Sequence, residues 1–304
     1  MSTILIAGGT GLIGNRLSEL LTIEGHQVTH LSRTENLSAA YPAYAWDLQK
    51  QEIDERAVLQ ADYIINLAGA GIADKPWSKA RKELIISSRT QSTALLLKAI
   101  EETKHQPKAY LASAAIGIYG DRGDKLLTEE SAVGKKGFLA ESCIAWEAAI
   151  KEVEATGLRT VTIRIGVVLA NGGGAFPKMT MSLPFGVAPY FGFGQQWYSW
   201  IHIDDLARMF IYAINQEELD GIYNGVAPHP EKNKALVEKT VKASGKKALV
   251  VPTPAFALRV GMGEMADVVL SGAKISSQKI EDVGFEFLYP KLEDALAQLF
   301  GEKA

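Results

Sequence analysis

The chain has 304 residues, 47% of them hydrophobic, with a formal net charge of −3 and one cysteine. This length holds one large domain or two modest ones, the scattered basic residues exclude a nucleic-acid surface or a polybasic membrane patch, and a lone cysteine excludes an internal disulfide, as suits a reducing compartment. MSTILIAGG (1–9) runs straight into a strand and a glycine turn, and no stretch holds about 18 consecutive apolar residues, so a cytoplasmic chain without signal peptide or membrane span is expected.

In chain order, ILIA (4–7) predicts a buried strand, and Leu12 to Glu24 a helix stopped by Gly25. Between them stands GGTGLIG (8–14), with Gly8, Gly11 and Gly14 in G-x-x-G-x-x-G spacing. Gly8 permits the tight turn, Gly11 lets the backbone approach a pyrophosphate, and Gly14 lets the helix pack on the strand. The helix N-terminus, with Thr10, Leu12 and Ile13 around it, offers N–H donors and positive potential to phosphates. Alone the motif is a weak signal; between a first strand and a first helix it predicts a dinucleotide site.

QVTHLS (27–32) predicts the second strand. An acidic residue at its end would bind the ribose hydroxyls of NAD. Here stand Ser32 and Arg33, a hydroxyl and a guanidinium that suit the 2′-phosphate of NADP, so NADP(H) is the expected cofactor. The bland alternative for Arg33 is a solvated surface cation. Asp47 falls where the third strand should end, and either accepts from an adenine amino group or begins a loop. DYIINLAG (62–69) predicts a strand that carries Leu67, Ala68 and Gly69 to the same edge.

Trp77 to Glu102 predicts a long helix. Ile85, Arg89, Thr93, Leu96 and Ile100 form one stripe on it. A charge on an inward stripe is costly unless paired. A cofactor phosphate or an anionic substrate would pair Arg89; otherwise it snorkels outward or meets a structural carboxylate. AYLASAA (109–115) predicts a strand, Gly137 to Thr156 a helix, and TVTIRIGVVLA (160–170) another strand. Residues 171–200, rich in Gly, Pro and aromatics, read as an extended loop region with one short helix. IHIDDLARMFIYAI (201–214) predicts strand then helix, with Asp204 or Asp205 as N-cap, and GIYNGVA (221–227) a last short strand.

This alternation predicts an α/β fold, a doubly wound parallel sheet with helices on both faces and a small C-terminal α+β lobe. Residues 1–170 with 201–227 would form the nucleotide domain, and 171–200 with 228–304 the substrate-side lobe. A cleft between sheet and lobe is the expected ligand site, with Gln195, Trp197 and Ser199 on its substrate side. His202 reads as structural.

GGTGLIG (8–14), NLAG (66–69), SAAIGIYG (113–120), RIGVVL (164–169) and WIHIDDL (200–206) stand in an order that resembles the short-chain dehydrogenase/reductase superfamily, in its extended, sugar-epimerase-like branch. Residues 251–296 are similar to the C-terminal region of an atypical group within it, the epimerase family proteins. The resemblance implies a seven-stranded Rossmann sheet, an NADP(H) site and a small C-terminal lobe, with no activity assigned to the group.

Typical members of the superfamily use a Tyr as proton donor, a Lys four residues later that lowers the phenol pKa from about 10, a Ser or Thr on the substrate oxygen, and an Asn on an earlier helix. Registered on Glu147, this chain has Leu139 at the Tyr position and Cys143 at the Lys position; a one-residue slip puts Phe138 and Ser142 there, and no register gives Tyr and Lys. The Ser position falls on Ala115, with Ser113 two residues earlier, and the Asn position on Arg89. The remaining catalytic candidates are Tyr119, Arg89 and Ser113. Tyr119 serves as an acid if it points inward, although the resemblance gives that tyrosine a structural place. Cys143, on the stripe Leu139, Cys143, Trp146 and Ile150, reads as a buried structural thiol. The five His and one Cys show no metal-ligand spacing.

Two functions remain open. One is an NADP(H)-dependent oxidoreductase or epimerase-like enzyme acting on an unknown small molecule without the usual proton relay. The other is a non-catalytic NADP(H)-binding sensor or interaction protein. Either would be a monomer or homodimer that binds neither nucleic acid nor membrane.

Overall fold

Strands buried on both faces alternate with amphipathic helices, and that pattern winds the chain about one central sheet. The computed structural model describes residues 1–134 and 136–301. Its first half runs β1 (Thr3–Ala7), α1 (Leu12–Ile23), β2 (Gln27–Ser32), β3 (Ala43–Asp47), β4 (Glu52–Ile53), α2 (Glu55–Leu59), β5 (Tyr63–Asn66), α3 (Lys79–Thr103), β6 (Ala109–Ala115), β7 (Leu126–Leu127) and α4 (Phe138–Glu154). Then come β8 (Thr160–Ile165), β9 (Val167–Leu169), α5 (Ala175–Thr180), β10 (Val187–Phe191), β11 (Trp197–Tyr198), β12 (Trp200–His202), α6 (Ile203–Asn215) and β13 (Gly221–Gly225). The chain closes with β14 (Glu231–Lys232), α7 (Asn233–Ser244), β15 (Leu249–Thr253), α8 (Ala255–Met262), α9 (Asp267–Leu270), β16 (Lys274–Ile275), α10 (Gln278–Asp282) and α11 (Leu292–Gly301).

The central sheet has the order β13-β8-β6-β5-β1-β2-β3-β4. Seven strands are parallel, as the resemblance implied, and the two-residue β4 adds an antiparallel eighth at the edge. Strand pleating sends Ile4 and Ile6 to one core, with Leu17 of α1 and Phe210 of α6. Leu5 and Ala7 point to the other, with Leu96 of α3 and Ile150 of α4. Strand order reverses at β1, and the crevice at such a switch point is where this architecture takes its ligand.

Three local expectations need correction. Residues 160–170 are not one strand. The run breaks at Gly166, after which β9 leaves the main sheet to pair with β12. A side chain at Gly166 would collide with the Ser199 carbonyl and Val226, so the chain turns where only glycine fits. The cap of α6 is His202, whose Nδ1 accepts from the Asp204 N–H, and neither aspartate caps it. Asp205 instead reaches back, accepting from the N–H groups of Leu288 and Tyr289 at 2.7 and 2.9 Å. Residues 171–200 hold more regular structure than a loop: α5, a short 3-10 turn, and β10, which pairs in parallel with β15. The sequence signal failed there because that ribbon joins segments about 60 residues apart.

Candidate functional site

The glycine loop lies at the C-terminal edge of the sheet, directly after β1. Gly8 has φ +81°, and a Cβ there would stand 2.9 Å from the Leu67 carbonyl carbon. The loops 8–14 and 66–70 therefore pack backbone against backbone. A Cβ on Gly14 would lie 2.5 Å from the Gly8 oxygen, so helix and turn meet only through glycine. No side chain caps α1 at Gly11. The first N–H groups of a helix have no partner within it, so those of Leu12 and Ile13 are available to a phosphate. The Thr10 carbonyl accepts from Asn15. Leu12 packs under Gly172 and Gly174, which bring a second glycine turn over the first.

Beneath this loop lies His30 of β2, which sequence reading passed over. Its ring fills the space a side chain on Gly9 would need. Ser18 donates its only hydroxyl hydrogen to Gly14, so the 2.8 Å contact to His30 has the ring Nε2–H as donor. Burial pushes the His30 pKa down to about 4, keeping the ring neutral. Two residues further along β2, Ser32 is half-buried, and Arg33 after it is exposed with no hydrogen bond or ion pair among the described residues. Asp47 ends β3 as expected. Its Oδ1 accepts from the N–H groups of Gln49 and Lys50, bonds that lower its pKa.

The β5 edge is held by Asn66, a buried polar residue at the end of an apolar strand. Its amide donates to Ser92, Thr93 and Tyr110, and its Oδ1 accepts from Ala68 N–H, so it fixes the turn through Leu67, Ala68 and Gly69. Against Gly69 lies the Arg89 guanidinium, 2.9 Å from where a Cβ would stand. Arg89 donates to the carbonyls of Ala70 and Ile85 and lies over the Trp146 ring at 4.7 Å. It has no carboxylate partner among the described residues. Burial lowers its pKa, and nearby Arg81 adds to that. The structural-carboxylate alternative for Arg89 is thus not seen, and its free edge adjoins the nucleotide loops.

Beyond the ends of β6 and β8 opens a cavity of about 650 Å³. Ala115, Leu139 and Cys143 all line it. The positions where the resemblance expects Ser, Tyr and Lys therefore converge on one space, and there they are apolar. Burial pushes the Cys143 thiol up to about 11. Ser113 does not reach the cavity; its hydroxyl donates to the Asn66 carbonyl at 2.9 Å. Tyr119 also stays out. It is fully buried, donates to Asn224 at 2.7 Å and accepts from Arg164 at 2.8 Å, and burial pushes its pKa up to about 12. Arg164 in turn grips Glu147 of α4 through two bonds of 2.7 Å.

Of the substrate-side residues, Trp197 and Ser199 line this cavity and Gln195 does not. Ser199 donates to the Ala273 carbonyl and accepts from Ile275 N–H, which commits its one hydroxyl hydrogen to the backbone. Gln195 is exposed beside a second cavity of about 550 Å³, which shares the Trp197 wall, and accepts from Lys232. Trp77 and Phe138 at the lip of the first cavity were missed; aromatic residues at a helix start carry no sequence signal for such a role. Among the described residues no cluster of His, Cys, Asp or Glu could hold a metal ion, and no helix is long and apolar enough to cross a membrane.

Residues 4–224 match the NAD dependent epimerase/dehydratase family, and residues 253–299 match a Domain of unknown function (DUF1731). The epimerase family protein YfhF of Bacillus subtilis is 35% identical over 304 residues, 99% of this chain and 98% of that protein. The crystal structure of human epimerase family protein SDR39U1 (isoform2) with NADPH superposes with a TM-score of 0.88 at 29% identity, covering 99% of this chain and 100% of that one. UDP-N-acetylglucosamine 4-epimerase from Bacillus cereus has a TM-score of 0.78 at 17% identity, over 99% of this chain and 98% of that one, a likeness of fold alone.

Proposed function

The chain belongs to the NAD dependent epimerase/dehydratase family, and from that premise we propose that it binds NADP(H) along the ends of β2, β1 and β5 and acts as an oxidoreductase on a small molecule without the usual proton relay. The carrying observation is Arg33, an exposed cation with no partner among the described residues, on the strand end where an acid would select NAD. The NADPH bound by the human relative supports the same cofactor. The pyrophosphate would rest on Gly8, Thr10, Gly11, Leu12, Ile13 and Gly14, the 2′-phosphate on Ser32 and Arg33, and the adenine beside Asp47. Leu67, Ala68 and Gly69 would back the dinucleotide, with Arg89 turned toward its polar part. When bound, the cofactor supplies or accepts a hydride. The chain's own contribution is orientation of the reactants in the cavity. We further divide the chain into a nucleotide domain, 1–170 with 201–227, and a substrate-side lobe, 171–200 with 228–304, since the cavity lies between them.

A second reading, a non-catalytic NADP(H) sensor, draws on Ala115, Leu139 and Cys143, which put no acid or base into the cavity. Titrating NADPH and NADH into the protein tests the cofactor. NADPH should bind more tightly, and Arg33→Ala should cost NADPH roughly 10- to 100-fold while sparing NADH, the range of one or two charge-assisted hydrogen bonds. Equal affinities for the two would end the NADP assignment. Tight NADPH binding with no oxidation across a panel of carbonyl compounds would favour the sensor.

A further inference from the structure

The cavity wall says what kind of ligand it takes. At one lip the rings of Trp77 and Phe138 meet edge to face, centroids 4.8 Å apart. Leu139, Ala140 and Cys143 of α4 form one side, and Val167, Tyr198 and Val268 another. Among the described residues the charged groups on the wall balance: Arg122 and Lys136 against Asp121 and Asp267. Three of these are already engaged. Arg122 donates to the carbonyls of Tyr119, Ala132 and Val133. Asp267 pairs with Arg259 at 3.1 Å, and Asp121 accepts from Gly123 N–H. The hydroxyls of Tyr198 and Ser199 are bonded to backbone, and Ser271 alone of the wall's hydroxyls has no bond among the described residues. Among the described residues nothing here assembles the several free cations that a diphosphate needs. No side chain caps α4 at Gly137, so a single carbonyl oxygen could be met by its first N–H groups or by Ser271.

We propose that this cavity binds an uncharged, planar, largely apolar carbonyl compound of the quinone class, and not a nucleoside diphosphate sugar. The proposal rests on the reading that NADP(H) occupies the adjoining strand ends. The missing acid fits the same class. A quinone takes up a hydride, supplied by the reduced cofactor, and one proton from water, giving a hydroquinone and the oxidised cofactor. No side chain has to act as proton donor for that balance.

The test is calorimetric titration of 2-methyl-1,4-naphthoquinone and of UDP-glucose into the full chain, with and without saturating NADP⁺, whose own affinity is measured separately. The naphthoquinone should bind with NADP⁺ present, and UDP-glucose should not. Leu139→Glu should weaken the naphthoquinone at least about tenfold, since it places an unpaired carboxylate on the apolar wall. Trp77→Ala, at the rim and outside the core, should weaken it too, so the assignment does not hang on one variant that could fail to fold. UDP-glucose binding more tightly than the naphthoquinone, or naphthoquinone affinity indifferent to both substitutions, would overturn the proposal. Failure of NADP⁺ to bind would instead remove the cofactor reading, while the titration without nucleotide still decides the cavity's ligand.

Discussion

At Leu139 and Cys143 the consequence of residue type is chemical. A Tyr and a Lys on that face would put a proton donor and a cation into the cavity, whereas a leucine and a buried thiol leave that side of the wall apolar. Cys143 is 5% exposed. With its pKa pushed up to about 11, almost no thiolate exists at pH 8. The native protein should therefore react with a disulfide reagent such as DTNB far more slowly at pH 8 than it does in denaturant, and fast native labelling would contradict this environment. The glycines and Arg33 were legible in the sequence because their spacing and chemistry are local. The free edge of Arg89 was legible only as a choice among partners, since pairing depends on residues distant in sequence. Tyr119 shows the opposite failure: a phenol near the expected site carries no information on which way it points.

Helix α4 shows how an element that lines the cavity on one face is held by another. Its lower half is anchored by Glu147, which accepts both bonds from Arg164, itself bonded to Tyr119. Both members of the pair are buried. Removing one would leave an uncompensated charge, so Glu147→Ala should destabilise the fold by about 3–5 kcal/mol, read as a lowered urea midpoint. A loss under about 1 kcal/mol would mean that water reaches the pair. The helix itself was readable from its apolar stripe. Its registration came from Glu147, and the structure gives that residue the anchoring role which the family register had merely located. β8 and β9 were harder. Strand-forming residues continue on both sides of Gly166, and only the close approach of Ser199 and Val226 there reveals that the strand changes sheets.

For the whole molecule, acid sensitivity should begin beneath the nucleotide loop. His30 is 3% exposed, and its pKa stands at about 4 against the ordinary 6.5. Between those values the unfolded chain takes a proton that the folded chain refuses. The contribution of the neutral ring is therefore complete above about pH 6.5 and is lost as pH falls toward 4. The melting temperature should drop across this window, and His30→Gln, which does not titrate there, should flatten that part of the profile. An unchanged slope in the variant would assign the acid sensitivity to other groups.

Ser199 ties the C-terminal region to an earlier stretch of the chain in a way that bears on protein engineering. Its hydroxyl bridges Ala273 and Ile275, β16 pairs with β7, and the Asn224 amide donates to the Ser276 carbonyl. The segment 273–276 is thus tied to earlier parts of the chain at three points, two of them, β7 and Asn224, on the sheet side. A chimaera that grafts a foreign C-terminal region onto this sheet would have to reproduce all three backbone registers at once. Retargeting this scaffold is accordingly a matter of repainting the cavity wall one side chain at a time, with the lobe left in place.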